Sequence, residues 1–69
     1  MRDVPIRGEM IRLGQFLKFS GIADSGAEAR ALLEERIVTV NGEPEARRGR
    51  QLRRGDIVAV GGEQPARVA

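Results

Sequence analysis

The sequence predicts an α+β domain in which two short helices pack on a small, mainly antiparallel sheet. Three observations carry that expectation. Leu13, Phe16 and Leu17 recur at the i, i+3, i+4 spacing of one helical face. Ala29, Leu32 and Leu33 form a second apolar stripe behind Ser25, which reads as a helix cap. Two β-branched runs, Ile37-Val38-Thr39-Val40 and Ile57-Val58-Ala59-Val60, are each bounded by turn residues.

A chain of 69 residues is one domain, 1–69, because a domain this short buries only about 60% of its unfolded surface and cannot support two cores. It has no cysteine and no histidine, so neither a disulfide nor a thiolate or imidazole metal site is available, and no metal or cofactor is expected. The same gaps remove the commonest general base and the best thiol nucleophile. No pair of carboxylates stands at a spacing that points to acid–base work, so the chain is expected not to be an enzyme and to have no small-molecule substrate. No apolar run approaches the ~20 residues of a membrane span, and MRDVPIRGEM lacks the apolar centre of a signal peptide. A cytoplasmic monomer with no membrane partner is the expectation.

Taken in order, Val4-Pro5-Ile6, Arg7-Gly8-Glu9 and Met10-Ile11-Arg12 read as strand, turn and strand, with the first at a sheet edge because Pro5 has no N–H to donate. Leu13 to Ser20 reads as a helix stopped by Gly21, where a left-handed residue is cheap. Phe19 sits at its flank, at the rim of the core, with stacking on a base as its functional alternative. Ile22 folds back as an anchor between the helices. Ser25-Gly26-Ala27-Glu28 fits a capping box, with the glutamate reaching back to the cap, and Arg30 and Glu34 stand one turn apart, spaced to pair. Gly26 and Ala27 leave the first turn open to an anion. Asn41-Gly42 is a tight-turn signal; the partner of the strand before it lies at once beyond the turn or at 57–60. Gly55-Asp56 and Gly61 to Pro65 are further turns, and Ala66 to Ala69 is a candidate last strand.

Net charge is only +2, but it is unevenly placed. Residues 1–46 carry six basic and eight acidic side chains, whereas 47–69 carry six basic and two acidic. All the cations except Lys18 are arginine, which pairs bidentately with phosphate and stacks on bases, so the partner class indicated is nucleic acid. Five arginines fall within Arg47 to Arg54 with no acid among them. They would repel one another unless an anion lies nearby, which favours a phosphate-contacting loop over a merely solvated one.

Arg12-Leu13, the capping Ser25, the A-R-A-L-L helix, Val38-Thr39-Val40-Asn41-Gly42 and L-x-x-G-D-I-V-A-V from Leu52 to Val60 together resemble the RNA-binding domain named after small-subunit ribosomal protein four, the S-four domain or alpha-L motif. Leu13-Gly14-Gln15-Phe16-Leu17-Lys18 is similar to the stand-alone short form found in the bacterial YaaA and YbcJ proteins. The resemblance covers residues 11–61 and implies a helix pair and a following loop that grip structured RNA, commonly ribosomal, without catalysis. Carried over by position, it puts Arg12, Lys18, Ser25, Gly26 and Arg30 on the helical face and Arg47, Arg48 and Arg50 on the loop beyond the turn. Two positions depart from it. Gly26 stands where many members have arginine, and Arg36 stands where glycine is frequent; a left-handed backbone there would cost roughly a kcal/mol. Binding is expected to read shape and phosphate charge, since Asn41, Gln15 and Gln51 are the only side-chain amides near the candidate surface.

Two other readings stay open at this level. Val38 to Glu43 followed by Leu52 to Gly62 looks like the end of a β-grasp sulfur carrier, which would begin with a hairpin and act through a terminal Gly-Gly carboxylate; here Gly61-Gly62 is followed by seven residues. A protein-interaction adaptor at the ribosome is the other.

Overall fold

A computed structural model describes residues 1–69. Its elements in chain order are β1 (Arg2–Val4), β2 (Ile11–Arg12), α1 (Leu13–Phe19), α2 (Gly26–Glu34), β3 (Val38–Val40), β4 (Glu43–Pro44), β5 (Gln51–Leu52), β6 (Ile57–Val60) and β7 (Ala66–Val68). The main sheet has the order β1-β7-β6-β3-β4, and all its pairs are antiparallel except β1 with β7. β2 and β5 form a separate antiparallel pair. No helix is long and apolar enough to cross a membrane.

Alternation decides which face of the sheet is covered. Val38 and Val40, Val58 and Val60, and Ala66 and Val68 are all buried at every second position of their strands. Leu13, Phe16 and Leu17 from α1 and Ala29 and Leu33 from α2 are buried with them in one cluster, against which Ile22 and Leu32 pack. The expected helix-on-sheet architecture is therefore present.

Local chemistry sets the ends. Gly21, at φ 83°, follows α1 as the stop residue. The Ser25 hydroxyl accepts the Glu28 N–H at 3.1 Å, while the Glu28 carboxylate accepts from Asp24 N–H, one residue earlier than a reciprocal capping box requires. Asn41 (φ 53°) and Gly42 (φ 85°) are both left-handed, the geometry of a two-residue hairpin turn, so β3 pairs with β4 at once. β3 pairs with β6 as well, so both partners considered for it are real. The Asn41 amide ties that turn to the start of β6, donating to Asp56 and accepting from Ile57 N–H.

The expected N-terminal hairpin is absent. β1 pairs with β7 and β2 pairs with β5, in each case with chain more than 35 residues away. A sulfur carrier's opening hairpin is absent for the same reason. Arg30 and Glu34 do not form an ion pair; exposed pairs of this kind gain little from Coulomb attraction in water.

Candidate nucleic-acid interface

The first backbone donors of a helix have no partner inside it, and in α1 the arginine loop supplies them. Leu13 N–H donates to the Arg50 carbonyl at 2.8 Å and Gly14 N–H to the Arg48 carbonyl at 2.9 Å. Gln15 Oε1 accepts the Arg12 N–H. The loop is thus bolted to the helix by main chain. Gly14 is what lets it come so close: a Cβ there would overlap Cγ of Arg48 and lie 3.0 Å from its Cδ.

The loop's other anchor is Glu45, which is only 9% exposed. One carboxylate oxygen accepts the Arg47 N–H and Nε, each at 3.0 Å, and the other accepts Arg47 Nη2 at 3.1 Å and Arg50 Nη1 at 2.9 Å. Hydrogen bonds from Arg47, side chain first, hold the carboxyl down at about 2, and Glu45 in turn raises the Arg47 guanidinium. The arginine run therefore does have an anion beside it, two residues upstream of where the run begins. Arg47 and Arg50 both pair with that carboxylate, Arg47 with its side chain still 74% exposed.

Arg48 points elsewhere. With Arg7, Arg12, Lys18 and Arg30 it lines an open groove of about 1140 Å³ between α1, the first turns of α2 and the loop. No aspartate or glutamate lines this groove. None of its five cationic side chains has an ion-pair or side-chain hydrogen-bond partner in the chain. Phe19 lines the same groove at 56% exposure, an aromatic face beside unpaired cations.

Of the residues proposed from sequence, Arg12, Lys18, Gly26, Arg30 and Arg48 meet at this groove. Ser25 stays outside as the cap of α2, and Arg47 and Arg50 turn to Glu45. A side chain on Gly26 would meet nothing nearer than Lys18 Cδ at 4.0 Å, so this position is open. Sequence reasoning did not pick out Arg7, Gly14 or Glu45. Their only signal was proximity to motif residues; Arg7 and Gly14 are defined by contacts with distant parts of the chain, whereas Glu45 bonds locally to Arg47 and Arg50.

A family model described as "S4 domain" matches residues 4–68. The chain belongs to the S4-domain family. The match extends beyond the 11–61 stretch that carried the resemblance: it takes in β7 and reaches Val4, the last residue of β1. A curated relative, "Probable ribosome maturation protein RlbA" of Bacillus subtilis (strain 168), is 49% identical over 59 residues, which is 86% of this chain and 83% of the relative. Within this S4 domain, both Arg36 (φ 60°) and Asn41 adopt the left-handed backbone without being glycine, so the departure at Arg36 carries the strain expected of it.

Proposed function

We propose that this S4 domain binds structured ribosomal RNA as a cytoplasmic monomer, without catalysis, through the groove between α1, α2 and the loop. The observation that carries the reading is the convergence of Arg7, Arg12, Lys18, Arg30 and Arg48 on one groove whose lining contains no acid. Five unpaired cations gathered this closely repel one another, and a phosphate backbone relieves that repulsion while releasing counterions. Phe19 offers a stacking face for an unpaired base, which suits irregular RNA better than a uniform duplex. The relative's designation as a probable ribosome maturation protein supports ribosomal RNA as the class.

The test is affinity for a pool of structured fragments of bacterial ribosomal RNA as a function of salt. Log affinity should fall with log salt by about 0.7 to 0.9 per phosphate neutralised, and Arg12→Ala, Lys18→Ala and Arg48→Ala should each reduce the slope by about one contact. A flat plot for the unmodified protein would refute the proposal.

A further inference from the structure

We infer that the RNA path does not end at the groove but crosses the Arg30–Arg48 ridge to a second phosphate site built on Arg36; this rests on the RNA reading above. Behind that ridge lies a smaller concavity of about 510 Å³, lined by Arg30, Leu33, Glu34, Arg36, Ala46 and Arg48. It shares Arg30 and Arg48 with the main groove, so the two are continuous across a pair of cations. Arg36 is exposed, and its side chain has no ion-pair or hydrogen-bond partner in the chain; Glu34, the one acid lining the concavity, does not pair with it.

The backbone is the independent observation. Arg36 sits at φ 60°, immediately beyond the end of α2, with its N–H donating to the Leu33 carbonyl at 3.1 Å. That closure of a helix end is made without strain by glycine, at little cost by asparagine, and with strain by a long side chain such as arginine. A long cationic side chain held there at a cost to the fold, with no partner inside the fold, is accounted for by a partner outside it. The alternative role is a favourable charge at the negative end of α2. Both roles use the positive charge, but only the RNA site predicts that removing it changes binding.

Arg36→Gly separates them, because it removes the guanidinium and relieves the backbone at once. Against the same pool of ribosomal RNA fragments, Arg36→Gly should bind roughly five-fold more weakly at fixed salt, with a slope smaller by about 0.7 to 0.9. Its melting temperature should be no lower than that of the unmodified chain. Arg36→Lys should keep most of the affinity, and Glu34→Gln should tighten binding by removing the acid from the path. Arg36→Asn, whose side chain tolerates the left-handed backbone, repeats the measurement should the glycine variant melt early. Unmodified protein that binds the pool while Arg36→Gly and Arg36→Asn bind it with unchanged affinity and slope would overturn the second site and leave the first standing. Failure of the unmodified protein to bind would instead sink the RNA reading on which both rest.

Discussion

Glu45 is the residue on which the charge of the surface turns. Simple charge counting says that neutralising an acid beside five arginines should strengthen RNA binding. The geometry says the reverse. Glu45 holds Arg47 and Arg50 at one end of the loop whose carbonyls cap α1 and whose Arg48 enters the groove. Glu45→Gln is therefore expected to weaken RNA binding several-fold, as measured by fluorescence anisotropy at fixed salt, although net charge becomes more positive; tighter binding would show that the carboxylate only masks the arginines. The same group predicts an acid limb in stability. Its carboxyl titrates near 2 when folded and near 4.5 without its partners, so its contribution is complete above about 4.5 and disappears as pH falls through about 2. Asp3, lowered by Arg67, adds to that limb. Thermal melts across this range should show a shallower pH dependence in Glu45→Gln than in the unmodified chain. Gly14→Ala tests the loop's seat: the added methyl group must displace the Arg48 stem, costing about 1–3 kcal/mol as overpacking does, and should weaken RNA binding as well as stability.

Among the elements, α2 rests on a cap that the sequence shows plainly. Ser25→Ala removes the acceptor for Glu28 N–H and should cost about 1 kcal/mol in denaturant unfolding, with little effect on the RNA salt slope because the serine hydroxyl lies outside the groove. A large loss of slope would move Ser25 into the contact surface. The helices and the β3 and β6 strands were legible because their signals are local: an i, i+3, i+4 stripe, a capping serine, β-branching and an Asn-Gly turn. Strands near β1 and at β2 were legible too, but their pairing was not, because neither folds on its neighbour. Their hydrogen bonds run to β7 and β5, which no local pattern encodes, and Val4-Pro5-Ile6 beside Arg7-Gly8-Glu9 imitates a hairpin. Glu45 was overlooked for a different reason, since its partners are close in sequence. The run of arginines looked unbalanced when counted from Arg47, yet the balancing acid stands just before it and folds underneath.

At the scale of the molecule, charge along the chain and charge in space differ. The C-terminal third is the most basic part of the sequence, but four of its six cations have partners within the fold: Arg47 and Arg50 bind Glu45, Arg67 binds Asp3, and Arg54 donates to the Ile6 carbonyl. The groove draws Arg7, Arg12, Lys18 and Arg30 from the half that is richer in acid, and only Arg48 from the loop. Tertiary structure thus separates cations that have an acidic partner within the chain from those that gather without one in the groove. The most direct check is to follow backbone amide and arginine Nε resonances of the labelled chain by NMR while adding structured ribosomal RNA fragments. Perturbed signals should gather at Arg7, residues 12–19, residues 26–30 and residues 48–49, with Arg36 joining them if the second phosphate site holds, and leave β1 and β7 quiet. Perturbations centred on β1 and β7, with the groove unchanged, would contradict the account.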